Sequence, residues 1–431
     1  MTARRKVLIS AYSCRPGAGS EAGVGWSVAT GMAAHHELWI LTRERHRAEI
    51  ETHLAGNPVP GATFVFHDLP RWTFRWWKRG DAGTQVYYHL WQKSVLKVGR
   101  ELHRRIGFDL VHHLTFGRYW SPSHLASLPP PFLWGPVGGG EGCPRAFWPG
   151  MGRTGHFYEI ARLTAQRIAE LSPPVRRTAR RAALALVKTS DTEARIRRLG
   201  ARDCAYFPDA ALDDRDIDRL GAIPEPPLRP LRFISIGRLL GWKGFHLGIE
   251  AFQRASLPGA EYWIVGDGPQ RSMLEALAIT HGLGQRVRFL GRLPRDETLD
   301  RLAQCHILVH PSLHDSSGWV ALEAMAAGRP VLCLDLGGPA IQVTEETGIK
   351  VPATRPTETV TRLAAAMIAL SDDGLRHAKG RAARRHVREN FSRSLLIPRL
   401  AAYYLRCAVD PAAGGAKTNQ MVSGTVSSSA L

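Results

Sequence analysis

Two carboxylates and two cations stand where they could act on a phosphorylated, polyhydroxylated ligand. Asp315 lies in the polar run HPSLHDSSG, and Glu323 follows eight positions later, one turn into the apolar stretch WVALEAMAA. Carboxylates accept hydrogen bonds from vicinal diols, as in a ribose or a hexose ring. The loop that carries Asp315 leads into a helix N-terminus, where free backbone N–H groups and the positive end of the helix dipole suit anions or sugar hydroxyls. Upstream, Arg238 ends the run LRFISIG and Lys243 stands just before the pattern GFHLGIEAFQRA. One cation at a strand end and another near a helix start can clamp a diphosphate from two sides. Their charge counts most as a nucleoside diphosphate leaves and negative charge builds up. The plainer readings are a buried helix with a chance acid and a pair of surface cations.

The elements that must position these groups are legible around them. CHILVH reads as a strand ending at His310, and Trp319 to about Ala327 as a short helix. Gly328 fits a left-handed cap, Pro330 stops the helix, and VLCLD is a second strand that opens the pair Gly337–Gly338. The chain begins the same way, with the strand KVLISAY, a loop holding Gly17 and Gly19, a helix, and the strand ELWILTR. Lacking a Cβ, these glycines let a backbone approach a phosphate, or simply make a tight turn. Their spacing is not G-x-G-x-x-G, and Thr42-Arg43 stands where a ribose-binding acid would follow, which argues against a nicotinamide enzyme. FDLVHH ends a further strand in His112 and His113, each either packed at the strand end or functional. GPVGGGEG at 135–142 is a loop able to wrap a ligand, and GDGP, with Gly266, is a sharp turn. Strands alternate with helices throughout, which predicts parallel sheets with ligand at the carboxyl ends of the strands.

The run D-x7-E-A-M-A-A-G-R-P-V, with G-R-L-x-x-x-K-G before it, resembles the signature of retaining glycosyltransferases of family 4. The resemblance implies an α/β protein of GT-B fold, two Rossmann-like domains facing across a cleft. It implies a hexosyltransferase that takes a nucleotide diphosphate sugar as donor, with no cofactor and no metal; no D-x-D loop is placed to carry one. In its terms Arg238 and Lys243 pair with the pyrophosphate and Glu323 holds the ribose. Asp315 and the N–H groups of Ser317, Gly318, Trp319 and Val320 hold the sugar. Gly17 and Gly19 lie against the diphosphate, Gly266 turns beside the ligand, and the stretch through Arg292 and Leu293 meets the base. Asp315 stands where that family mostly has Glu, shorter by about 1.5 Å, so the donor sugar sits closer or through water. A histidine after the corresponding strand lies at the reacting centre, and His113 is the candidate, although H-H-L replaces the usual H-x-H and leaves His112 and His113 to be told apart. The alternative is a non-catalytic GT-B subunit that binds nucleotide sugar and regulates a partner.

At 431 residues, 44% hydrophobic and 22% charged, the chain has room for two domains with proper cores. The expected division is 1–222, acceptor side; a proline-rich linker at 223–230; 231–385, nucleotide-sugar side; a helix at 386–408 crossing back; and a disordered tail at 409–431. No apolar run is long enough to span a bilayer, the N-terminus lacks a secretion signal, and the six cysteines show no metal or C-x-x-C spacing. These features predict a cytoplasmic protein. The net charge of +19 predicts an anionic partner. PRWTFRWWKRG at 70–80 interleaves tryptophans with cations, and Arg176, Arg177, Arg180 and Arg181 cluster further on. That mixture suits a membrane interface with anionic lipid, a buried aromatic helix with a solvated basic face, or single-stranded nucleic acid. The expectation is a peripheral position on the inner face of the cell membrane and no nucleic-acid partner; the family resemblance implies glycan or lipid-linked acceptors of bacterial surface polysaccharide synthesis.

Overall fold

The computed structural model describes residues 4–73 and 80–408. Most of the tryptophan-rich stretch (74–79) and the tail 409–431 lie outside the described residues.

Apolar runs become strands that helices cover on both faces. In chain order the first part contains β1 (Lys6–Ser10), α1 (Ser20–Met32), β2 (Glu37–Thr42), α2 (Arg47–Gly56), β3 (Ala62–Phe66), α3 (Gly80–Ile106), β4 (Leu110–His113) and β5 (Phe132–Val137). It continues with α4 (Gly152–Leu171), α5 (Pro173–Arg181), β6 (Ala182–Val187), α6 (Ser190–Arg198) and β7 (Cys204–Tyr206). These strands form a parallel sheet in the order β3-β2-β1-β4-β5-β6-β7. All six residues of β5 are buried, as continuous apolar strands in parallel sheets must be. The cap of α6 is Thr189, whose hydroxyl accepts from the Thr192 N–H.

The second part begins with α7 (Asp214–Gly221) and runs through β8 (Arg232–Ile236), α8 (Phe245–Ala255), β9 (Glu261–Val265), α9 (Arg271–Thr280), β10 (Val287–Gly291), α10 (Arg295–Ala303) and β11 (Ile307–His310). Then follow α11 (Trp319–Ala326), β12 (Val331–Leu334), α12 (Gly337–Gln342), β13 (Gly348–Val351), α13 (Pro356–Ala369), α14 (Asp373–Asn390) and α15 (Arg393–Ala408). The second parallel sheet has the order β10-β9-β8-β11-β12-β13.

The chain crosses between the sheets earlier than the proline-rich stretch 223–230, which was expected as the linker. Ile217 and Leu220 of α7 are buried in one cluster with Ile234, Ala321 and Met325 of the second sheet's side. The crossing lies near Leu212, where the returning chain passes again. The Leu212 N–H donates to the Phe391 carbonyl and the Arg393 N–H to the Leu212 carbonyl, at 3.0 and 2.9 Å. From there α15 lies back on the first sheet, with Leu400 and Tyr404 fully buried among β1, β4 and α1 residues.

Each sheet reverses its winding between two central strands, β1 and β4 in the first and β8 and β11 in the second. Loops leaving the carboxyl ends of such a pair diverge and open a crevice. This topology brings the loops after β8 and β11 face to face with those after β1, β4, β5, β6 and β7.

Candidate active site

A cavity of about 490 Å³ occupies the space between these loops and is walled by both domains. On the second-domain side, β8 delivers Arg238 and the short turn Gly241–Lys243 delivers Lys243. From β11 come His310 and the loop through Asp315 to Gly318, which enters α11 through a left-handed Gly318. Asp315 is the hub of this wall. Its carboxylate lies 2.5 Å from the Lys243 ammonium and 3.3 Å from His310 Nε2, and it accepts the Ser317 N–H at 3.3 Å. Burial alone would raise the Asp315 carboxyl, but the His310 hydrogen bond and the Lys243 charge outweigh it and hold it well below the usual carboxylate range.

The pair Gly337–Gly338 supports this loop from behind. Gly337 has φ +62°, and a Cβ there would meet the Asp315 carbonyl oxygen at 2.2 Å. The Gly338 N–H donates to that same carbonyl at 2.8 Å. The Gln342 amide, at the end of α12, donates to the Ser317 carbonyl. α12 thus fixes the backbone that carries Asp315 and the α11 amino end.

The first-domain wall holds charged groups that no short motif announces. Lys188, just after β6, pairs with Asp209, which follows β7. Asp209 also accepts the Ser317 hydroxyl at 2.9 Å and so ties the two walls together. Glu21, at the start of α1, accepts the Phe116 N–H; burial raises its carboxyl, with Lys188 pulling the other way. Glu141 accepts from the Gly139 N–H at 2.9 Å, the Thr189 hydroxyl at 2.6 Å and the Thr192 hydroxyl at 3.0 Å. That carboxylate folds the glycine loop over itself and presents Gly138 and Gly139 to the cavity.

Where α4 meets the second domain, Trp242 is stacked between two rings. Tyr158 lies at 4.3 Å with an interplanar angle of 14°, and His314 at 5.4 Å with 13°. His314 Nε2 stands 2.9 Å from the fully buried Glu159 carboxylate. These contacts hold the cleft closed at one end. Aromatic pairs contribute about 0.5–1.5 kcal/mol each beyond burial. Trp242→Ala is therefore expected to shift the open–closed balance roughly tenfold and to raise the radius of gyration in small-angle scattering, with unchanged circular dichroism. An unchanged radius would show that the stack does not hold the closure.

Residues 216–386 match the family model described as Glycosyl transferases group 1. Among curated relatives, 2-deoxystreptamine N-acetyl-D-glucosaminyltransferase of Streptomyces fradiae is 30% identical over 262 residues, 58% of this chain and 60% of that protein. The lipopolysaccharide core biosynthesis glycosyltransferase LpsE of Rhizobium meliloti is 42% identical over 106 residues, 25% of this chain and 30% of that protein. The chain thus spans about three-fifths and three-tenths of these relatives' lengths. Sucrose-phosphate synthase from Thermosynechococcus elongatus has the same fold, with a TM-score of 0.61 at 18% identity over 94% of this chain and 99% of that one. The fold is GT-B.

The residues expected at the site divide into two groups. Arg238, Lys243, Asp315, Ser317, Gly318, Trp319 and Val320 all line the cavity. Gly17, Gly19, Gly266, Arg292, Leu293, Glu323 and His113 are not among the described residues that line it. Gly17, at φ +65°, and Gly19 shape the turn before α1, so the cavity receives Glu21 rather than the glycines. Gly266, at φ +136°, sits where a Cβ would meet the Gly237 carbonyl oxygen at 1.9 Å, so its role in the geometry is to let β8 and β9 end side by side. Arg292 is exposed, and Leu293 is half-buried, packed against the edge of a core cluster. Glu323 is held by Arg295 at 3.1 Å, one turn beyond the lining residues; burial raises its carboxyl against the pull of Arg295.

His112 and His113 need correction. Neither enters the cleft, because successive residues of β4 point to opposite faces and both faces are covered. His112 Nδ1 meets the Tyr404 hydroxyl of α15 at 2.6 Å, and His113 Nε2 meets the Tyr88 hydroxyl of α3 at 3.2 Å. Burial lowers them to about 3 and about 4, so both rings are neutral near pH 7. Among the described residues, no three His, Cys, Asp or Glu side chains gather as a metal-ligand group.

Proposed function

We propose that this chain is a retaining, metal-independent hexosyltransferase acting from a nucleotide diphosphate sugar. The observation that carries the reading is the convergence of Arg238 and Lys243 with the amino end of α11 in one cavity closed by the other domain. Arg238 and Lys243 stabilise the diphosphate as charge develops on it. The α11 N–H groups and Asp315 orient the sugar, while Lys243 keeps Asp315 ionised and able to accept its hydroxyls. Glu323 receives the ribose, exchanging its bond to Arg295 for a diol, and the stretch through Arg292 and Leu293 takes the base. Gly17 and Gly19 give the turn that leads the backbone toward the diphosphate and sets Glu21 in the first-domain wall. Closure of the two walls excludes water, which favours transfer over hydrolysis.

The acceptor is a glycan or a lipid-linked glycan of bacterial surface polysaccharide synthesis, held against the first-domain wall by Glu21, Lys188 and Asp209. The lipopolysaccharide-core function named for the Rhizobium meliloti relative supports this class. The protein works in the cytoplasm at an anionic membrane surface. No helix among the described residues is long and apolar enough to cross a membrane, and the charge of +19 favours anionic lipid.

Slow hydrolysis of UDP-glucose, UDP-galactose, UDP-N-acetylglucosamine and GDP-mannose, followed by proton NMR, tests the stereochemistry. The α anomer is expected to appear first, at the same rate with EDTA present. First release of the β anomer would overturn retention, and loss of turnover in EDTA would overturn metal independence.

A further inference from the structure

We infer that the outer face of α4 docks on an anionic lipid surface and holds the cleft mouth there. This deepens the membrane reading under Proposed function and rests on it. The tryptophan-rich stretch that first suggested a membrane lies mostly outside the described residues, and α4 supplies the face independently.

Phe157, Ile160, Ile168 and Leu171 are 72%, 44%, 66% and 71% exposed, a concentration of large apolar side chains that a helix packed only on its own protein does not show. Ala161 and Thr164 are exposed between them. At helical spacing these six positions fall within a stripe about 100° wide. The buried residues of the same helix, Gly155, Glu159 and Gln166, lie on the opposite side.

The charges decide what covers the stripe. Both acids of α4 are turned inward, Glu159 to His314 and Glu170 to Tyr119 and Arg195. Every exposed charged residue from the start of α4 to the end of α5 is an arginine: Arg153, Arg167, Arg177, Arg180 and Arg181. An apolar stripe flanked only by cations complements acyl chains beneath anionic headgroups. A second copy of this face would set arginine against arginine, because a two-fold contact pairs like with like. The inward side of α4 supplies Tyr158 and Arg162 to the cavity. Docking therefore places a bilayer about one helix diameter, roughly 10 Å, from the cleft.

The test is co-sedimentation of the full chain with phosphatidylcholine vesicles, with and without phosphatidylglycerol. Binding is expected only with phosphatidylglycerol, weakening in high salt. Phe157→Ser/Ile168→Ser/Leu171→Ser is expected to lower the bound fraction roughly tenfold or more, through the lost apolar burial. Arg153→Glu/Arg167→Glu is expected to do the same through charge. In both variants the thermal shift with UDP or GDP should match that of the unaltered chain, which shows the cleft intact. Variants that bind vesicles like the unaltered chain would overturn the proposal. So would a triple variant whose only change is from dimer to monomer. Nucleotide binding with no vesicle binding overturns the docking alone, whereas vesicle binding with no nucleotide binding supports the docking and overturns the transferase reading.

Discussion

Arg238→Ala is expected to lower kcat about a hundredfold to a thousandfold while leaving the folded protein as stable as before. Arg238 is exposed at the end of β8 and lines the cavity, and among the described residues its guanidinium has no hydrogen-bonded or ion-paired partner. Nothing in the fold therefore depends on it, and its removal reads out ligand chemistry alone. Losing one preorganised charge aimed at a developing anion costs about 2.7–4 kcal/mol of transition-state stabilisation, which is the fold-change expected. Steady-state kinetics checks it. A fall in melting temperature would show that the fold does depend on it, and kcat within about threefold of the unaltered chain would show that Arg238 does not act on the leaving group.

Asp315→Asn should behave differently, because Asp315, which we propose holds the sugar, is also a structural partner of Lys243 and His310. The substitution leaves the Lys243 ammonium, 23% exposed, without its counter-charge. Breaking such a partly buried pair costs about 2–4 kcal/mol, several degrees of melting temperature. The folded carboxyl is held well below its ordinary value, so the fold favours the ionised form. Its contribution is present in full above the unfolded value of about 3.9 and is lost as pH falls through the folded value. The melting-temperature gap between the unaltered chain and Asp315→Asn should therefore be widest near neutrality and shrink in strong acid. A gap that does not change with pH would contradict the pairing. Activity should fall as well, roughly a hundredfold, because both the proposed sugar contact and the position of Lys243 are lost.

The β11–α11 unit was legible because its signals are local. One strand end, one left-handed glycine and a carboxylate pair at fixed spacing all fall within a single stretch, and the Gly337–Gly338 pair that supports it follows directly. Arg238 and Lys243 were legible for the same reason. The first-domain wall was not. Glu21, Lys188 and Asp209 are single residues after three different strands, and only the sheet order β1-β4-β5-β6-β7 brings their loops to one edge. The Tyr158–Trp242–His314 stack depends on how two domains meet, which no periodicity encodes. His113 is misplaced because the resemblance sets a histidine just after the strand at the reacting centre, whereas here it is the strand's own last residue and the pleat assigns it to a covered face. The linker was misplaced because prolines mark where a helix cannot continue. They do not mark where packing changes hands, and Ile217 and Leu220 had already committed α7 to the second domain.

The central claim is that the second-domain side of the cleft binds a nucleoside diphosphate through its paired cations. A thermal-shift panel with UDP, GDP, ADP, dTDP and their common sugars tests it most directly, with Arg238→Ala and Glu323→Ala alongside. The account predicts stabilisation by one base series, lost in both variants. No shift with any nucleotide, or a shift that survives Arg238→Ala unchanged, would contradict it.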